Sequence, residues 1–392
     1  MVQPAPGAAV PRAIPESAEA IAPAWLADVL REAGALAAGR VAEVRAQPIA
    51  VGEGFAGRLA RLSVTYEGAP AAAPASVIAK FAADHEPTRR MLASLGGYER
   101  EVRFYREWAE RAGLPTPRCY YAEIDPATAT FMILLEDMRP ATVGDQVAGA
   151  SLEQAREVTR LLATFHARWW NDERVLRELR PRAEVLQEVL RLFRAGLPAF
   201  RASMSGAYPG LVVLAERLDS IAGELAEDLV AVRRPFTLVH GDVRLDNLFF
   251  PTPEGGRFAV IDWQGTAAGQ PAADLAYWLV LSLPIELRRA RERELLALYH
   301  ATLVDRGVRG YSLRRLRRDY RRAAMAFVVG AVVLSSNLDL LGPERGRALV
   351  DAALRRFEAA LDDAHARSLS RLLVASVRAS RALRRARLLP GR

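Results

Sequence analysis

The chain has 392 residues, 51% of them hydrophobic and 26% charged, a globular composition long enough for two lobes, each with its own core. Its one cysteine, Cys119, excludes an intrachain disulfide, and its longest apolar run, AAMAFVVGAVVLSS (323–336), is too short and mixed to span a bilayer and reads as a buried helix. The net charge of +8 is matched by eight arginines without an acid in residues 364–392, so the body of the chain balances and no nucleic-acid partner is expected.

Residues 1–22, rich in Ala and Pro and with no basic segment before an apolar one, are expected to be disordered and not a signal peptide; the protein is expected in the cytoplasm. PAWLADVLREAG (23–34) predicts a short helix, and VAEVRAQPIAV (41–51) a strand running into a glycine-rich turn. RLARLSVTY (58–66) alternates, with Ala60, Leu62, Val64 and Tyr66 on one face, and SVIAKFA (76–82) is a third strand carrying Ile78 and Lys80 together. Residues 89–113 predict a helix broken at Gly96-Gly97, with Tyr98, Glu101, Tyr105 and Trp108 as one stripe. RCYYAEI and FMILLED then form a hairpin. After Arg139 the pattern becomes helical: SLEQAREVTRLLATFHARWW opens with a capping box from Ser151 to Gln154, and only FTLVH and FAVID interrupt the helices.

Chemistry concentrates in three places. Gly52-x-Gly54-x-x-Gly57 is by itself compatible with a plain turn, but a period-two strand follows it where a dinucleotide fold would open a helix, and a glycine-rich loop between two strands is the setting of a loop over nucleotide phosphates. HGDVRLDN places Asp242 and Asn247 five apart after a short strand, and Asp262 ends the next strand, in VIDWQG. A carboxylate near a substrate hydroxyl, with an amide oxygen and a second carboxylate for magnesium, is what phosphoryl transfer requires. The third place is Lys80. It is the one lysine among 54 basic residues, which makes it either a candidate for a site that needs a slim point charge in place of a wide guanidinium fork or a chance survivor on the surface.

Together HGDVRLDN, VIDWQG, PAADLAYW, FHARWW, VIAK and LPTPRCYYAEID…FMILLEDM resemble the aminoglycoside phosphotransferase and choline kinase-like group, nearest its ecdysteroid kinase-like branch. The resemblance implies an α+β, bilobal protein-kinase-like fold with a small five-stranded N-lobe (23–137), a hinge near 136–139, a larger mostly helical C-lobe (138–363) and a basic tail (364–392). It implies an enzyme that uses ATP and magnesium to phosphorylate a hydroxyl of a small organic molecule. Asp242 is then the base or hydroxyl-positioning carboxylate, and Asn247 and Asp262 bind magnesium. Lys80 and Glu101, with Glu99 as the alternative to Glu101, orient the phosphates; Gly52, Gly54 and Gly57 cover them; Glu136 and Met138 contact adenine through backbone groups. Arg244 takes the place of a protein-kinase lysine near the γ-phosphate. Asp274 braces the catalytic loop, His240 supports its backbone, and His166, Trp169 and Trp170 belong to the core. Gly241 replaces the Arg of the protein-kinase HRD motif, and eleven residues between Asp262 and Asp274 are too few for an activation segment, so the acceptor is expected to be a small molecule and not a protein. The competing class is a catalytically inactive nucleotide-binding pseudokinase acting as regulator or scaffold; the intact set of Lys80, Glu101, Asp242, Asn247 and Asp262 argues against it. Glu184, Glu188, Glu216, Asp219, Glu224, Glu227 and Asp228 read as solvated faces over a site for a cationic acceptor. The basic amphipathic tail is compatible with weak contact to an anionic membrane surface, although a frayed terminal helix is the simpler account.

Overall fold

The structure, a computed structural model, describes residues 13–49, 57–223, 227, 232–335 and 345–363. Gly52, Gly54, Glu224, Asp228, residues 1–12 and the tail 364–392 lie outside the described residues. The chain divides into two compact units. One holds the described residues up to 90 together with 118–137; the other holds 91–117 and the described residues from 138 onward.

In the first unit five strands form one antiparallel sheet: β1 (Arg40–Ile49), β2 (Gly57–Glu67), β3 (Ser76–Ala82), β4 (Cys119–Asp125) and β5 (Thr130–Glu136), in the order β1-β2-β3-β5-β4. The alternation of β2 is obeyed: Ala60, Leu62 and Val64 are buried, while Ser63 and Thr65 are exposed. With Val77, Ala79 and Phe81 of β3 and Met132 and Leu134 of β5 they build a core closed by Leu26, Val29 and Leu30 of helix Pro23–Glu32. Lys80 therefore points to the opposite face, in register with Leu59 of β2 and Ile133 of β5. The expected disorder of residues 1–22 does not extend to 13–22. Ile21 is buried in this core and Ile14 and Ala18 pack on it, so the segment is seated by apolar contacts that its Ala/Pro composition conceals.

The second unit is mostly helical. The stretch 91–117, expected with the sheet, groups here because its aromatic stripe is spent inside this unit. Helix Glu86–Ser94 stops at Gly96, whose φ of 68° is left-handed, and Gly97–Arg103 begins a new helix that widens into a π-type turn at Phe104–Trp108. Phe104 stacks on Trp263 with ring centroids 3.7 Å apart and planes 7° from parallel, and Trp108 packs against Trp169, whose Nε1 donates to the Ala112 carbonyl (2.7 Å). Helix Leu152–Arg168 has its capping box: the Gln154 amide donates to Ser151 Oγ, and the Ser151 amide to Gln154 Oε1. The apolar run falls in helix Leu313–Ser335, with Met325, Val328 and Val332 buried; no described helix is long and apolar enough to cross a membrane.

Two small ladders interrupt these helices. Strand Thr237–Val239 pairs with Ala267–Gly269, and Leu248–Phe250 lies between Thr142–Val143 and Ala259–Val260. The loop at 240–247 thus leaves one ladder and returns in the other, fixed at both ends.

Candidate active site

Asp242 sits on that loop, half-buried. Asn247 Nδ2 donates both to the Asp242 carbonyl and to Asp242 Oδ2, each at 2.9 Å. The five-residue spacing makes this possible because Leu245–Asn247 is a single 3₁₀ turn that folds the chain back on itself. The amide nitrogen faces Asp242, so Oδ1 is the atom of Asn247 suited to a cation. Arg244 Nε lies 3.4 Å from Asp242 Oδ2 and Nη1 lies 3.8 Å from Asp246 Oδ2. Burial opposes the charge on Arg244, but Asp242, Tyr277, Asp246 and Asp262 outweigh it and hold the guanidinium firmly protonated.

Helix Pro271–Ser282 holds the loop from beneath. Asp274, 1% exposed, accepts the His240 amide (2.7 Å) on Oδ2 and the Gly241 amide (2.9 Å) on Oδ1. His166 Nε2 lies 3.2 Å from the same Oδ2, and its Nδ1 is 2.6 Å from the Tyr299 hydroxyl. Burial pushes the Asp274 carboxyl up, but His166, His240 and the donated amides overcome it, and its pKa lies below the usual carboxylate value. His166 is therefore buried as expected, yet it is also a partner of the brace. His240 takes the supporting role expected of it: Nδ1 accepts the Asp242 amide (3.1 Å) and Nε2 donates to the Ile261 carbonyl (3.0 Å). Gly241 is required by space. Its φ is +86°, and a Cβ there would sit 2.5 Å from the Gly265 carbonyl oxygen, so neither the arginine of the HRD motif nor any other side chain fits.

Asp262 follows strand Ala259–Val260 with φ 65° and ψ 64°, a left-handed conformation that costs a non-glycine residue about 1–3 kcal/mol. The preceding residue is pinned on both sides: the Ile261 amide donates to the Asn247 carbonyl (3.0 Å), and the Ile261 carbonyl accepts from His240. The next residue, Trp263, is fully buried against Phe104 and beside His240. Gln264, whose role the motif leaves open, ties this turn to the helix before it. Its Nε2 donates to Glu101 Oε2 (3.1 Å), and its carbonyl accepts from Arg100 Nε (2.7 Å). Burial, then the neighbouring Arg182, lowers the Arg100 pKa to about 10. Glu101 is 1% exposed, whereas Glu99 lies at the surface beside Arg182.

In the first unit Lys80 is 9% exposed and its Cε lies 3.8 Å from where a Cβ on Gly57 would be; that Cβ would also meet the Phe81 carbonyl at 2.3 Å, so Gly57 is needed for the close approach of β2 to β3. Glu136 ends β5, where its amide donates to the Arg118 carbonyl and its Oε2 accepts the Arg118 amide. Met138 is buried, and its carbonyl accepts the Ala141 amide. The surface acids behave as solvated faces: Glu188, Asp219 and Glu216 pair with Arg191, Arg194 and Arg201.

Two residues beside the loop were not singled out as site residues. Gln146 Oε1 accepts the Leu245 amide (2.8 Å) and the Ser282 hydroxyl (3.1 Å), joining the catalytic loop to the end of helix Pro271–Ser282. Burial first, then the charge of nearby Asp242, raises the Tyr277 phenol well above its ordinary value. Its position three residues after Asp274 in PAADLAYW was the available signal, since both lie on one helical face.

A model of the ecdysteroid kinase-like family matches residues 51–308, more than half of the chain. The chain belongs to that family. Among solved structures, a protein assigned as an aminoglycoside phosphotransferase from Ralstonia eutropha shares the fold at a TM-score of 0.51 and 17% identity, covering 87% of this chain and 97% of its own. A choline kinase from Cryptosporidium parvum does so at 0.50 and 12% identity, covering 84% and 91%. The fold of this family member is thus the α+β, protein-kinase-like phosphotransferase fold. Acyl-CoA dehydrogenase family member 10 of Mus musculus is 48% identical over 63 residues, a match that covers 15% of this chain and only 6% of the mouse protein's length.

The donor set suits magnesium. Among the described residues no three His, Cys, Asp or Glu side chains gather as a closed cage. Asn247 and Asp262 offer instead two hard oxygen ligands on adjoining turns. A magnesium ion that completes its shell with phosphate oxygens and water needs no more.

Proposed function

We propose that this chain is an ATP-dependent kinase that transfers the γ-phosphoryl group to a hydroxyl of a small organic molecule. The observation that carries the reading is the Asp242 carboxylate, held by Asn247 and flanked by Arg244, on a loop braced by Asp274 and followed by Asp262. Asp242 orients the acceptor hydroxyl and takes its proton as the oxygen bonds to the γ-phosphorus; the bond from that phosphorus to the β,γ-bridging oxygen breaks and ADP leaves. General-base assistance contributes roughly 10²–10⁴-fold, and positioning and charge stabilisation supply the rest. Arg244 stabilises charge on the transferred group. Lys80 and Glu101 orient the phosphates, and backbone groups of Glu136 and Met138 hold adenine. Asn247 and Asp262 would hold magnesium, which when bound neutralises phosphate charge. The lack of room for an activation segment between Asp262 and Asp274 supports a small-molecule acceptor.

The test is thermal stabilisation by ATP with magnesium, on wild type and Asp262→Ala. A ligand at 100 times its dissociation constant adds about 2.7 kcal/mol. A magnesium-dependent shift that the variant lacks supports the nucleotide site and justifies a screen of hydroxyl acceptors. No shift in wild type overturns the reading. A shift without phosphate transfer to any acceptor or to water would leave the pseudokinase.

A further inference from the structure

The residues after strand Thr142–Val143 run along the 3₁₀ turn Leu245–Asn247 and grip it at both ends. The Gly144 amide donates to the Leu248 carbonyl (3.0 Å). Two residues on, Gln146 meets the turn twice: its Oε1 accepts the Leu245 amide (2.8 Å), and its own amide donates to Asp246 Oδ1 (3.3 Å). The approach demands a glycine, because a Cβ on Gly144 would lie 2.7 Å from Leu245 Cδ2 and 2.9 Å from Leu245 Cβ. The first amide of a helical turn has no partner within that turn, and Leu245 is 1% exposed, so without Gln146 this N–H would be buried and unsatisfied. Gln146 is itself fixed from outside the loop. Its Nε2 donates to the Leu281 carbonyl (2.8 Å) near the end of helix Pro271–Ser282, and its carbonyl accepts from Arg356 Nη1 (2.7 Å) of helix Arg345–Asp363. Arg356 Nη2 donates to the Val147 carbonyl (2.8 Å), and Arg356 is buried.

We infer that Gln146 is a positioning residue for the metal side of the site: by holding the Leu245 amide it sets the 3₁₀ turn that carries Asn247, and with it the place of the Asn247 side chain against Asp242. The inference rests on the kinase reading above. The bonds from Asn247 to Asp242 are internal to the loop and move with it. The Gln146 contacts reach the turn from 99 positions away in the chain and are tied to two packed helices. Magnesium demands near-ideal octahedral geometry, so a ligand oxygen for it tolerates little drift of the turn on which it sits.

Gln146→Met keeps the length of the side chain and removes the acceptor. In the protein without nucleotide or metal, amide hydrogen exchange at Leu245 should accelerate by about tenfold. ATP in the presence of a chelator should bind as it does to wild type, whereas magnesium-ATP should bind about 3- to 10-fold more weakly, the range of one buried hydrogen bond. Gly144→Ala pushes a methyl against Leu245 without removing a hydrogen-bonding group; it should give the same magnesium-selective loss, and it carries the test if Gln146→Met does not fold. A merely structural role would weaken both forms of ATP together. Equal changes in the two affinities, zero included, or unchanged exchange at Leu245 overturn the inference and leave the kinase reading intact. A wild-type chain whose affinity for ATP does not respond to magnesium overturns both.

Discussion

Replacing Asp274 with Asn tests how the catalytic loop is held. The carboxylate accepts two backbone amides and lies beside His166 Nε2, all in a site from which water is excluded. Asn preserves volume but offers one acceptor oxygen, and its NH₂ must face a donor. At least two charge-assisted bonds are lost, each worth about 1.5–3 kcal/mol, so the destabilisation should be roughly 3–5 kcal/mol. For a unit of this size that is a fall in Tm of about 6–20 °C. The pH dependence has a definite sign. The folded carboxyl is depressed, so its contribution is fully present above the unfolded-chain value of about 3.9 and is lost as pH falls below it, through the folded value. The gap between wild type and Asp274→Asn should therefore be constant from neutral pH down to mild acid and close only in stronger acid. Denaturant unfolding followed by tryptophan fluorescence, which Trp263 beside His240 makes sensitive to this region, measures it. A fall in Tm of less than about 2 °C at neutral pH would refute the brace.

Gly241→Ala should cost about 1–3 kcal/mol and abolish turnover, because the φ of +86° and the Gly265 carbonyl leave no space for a methyl; calorimetry and an ADP-release assay give both numbers, and a stable, active variant would contradict the steric account. Lys80→Arg keeps the charge but not the slim stem, and should lower kcat/KM for ATP by at least about tenfold with an unchanged circular dichroism spectrum; equal activity would mean the lone lysine is incidental. Arg244→Ala should reduce turnover by about 10²-fold with little effect on nucleotide binding, and an unchanged turnover rate would remove Arg244 from the mechanism. Gln264→Leu should slow turnover by releasing Glu101 from the turn that follows Asp262; a rate equal to wild type would make that hydrogen bond dispensable.

Local chain geometry was legible in the residues. Strand alternation in β2, the broken helix at Gly96, the capping box at Ser151 and the succession of Asp242, Asn247 and Asp262 all depend on neighbours a few positions away, or on short strands between turns. A residue three or five positions along a helix or a 3₁₀ turn lands in a calculable place, so the candidate site could be written down as an ordered list. The structure then gave the described members their surroundings. Glu99 and Glu101 are two apart and chemically alike, and only packing buries one and leaves the other on the surface. Gln264 and Gln146 hydrogen-bond residues 163 and 99 positions away, separations over which sequence spacing carries no distance information. The same holds for the helical stretch 97–112. Its stripe of Tyr98, Glu101, Tyr105 and Trp108 announced a buried face but not the partner, because apolar burial is non-directional and any complementary surface satisfies it. The stacking of Phe104 on Trp263 placed that stretch with the catalytic loop, and that pairing exists only once the chain has folded.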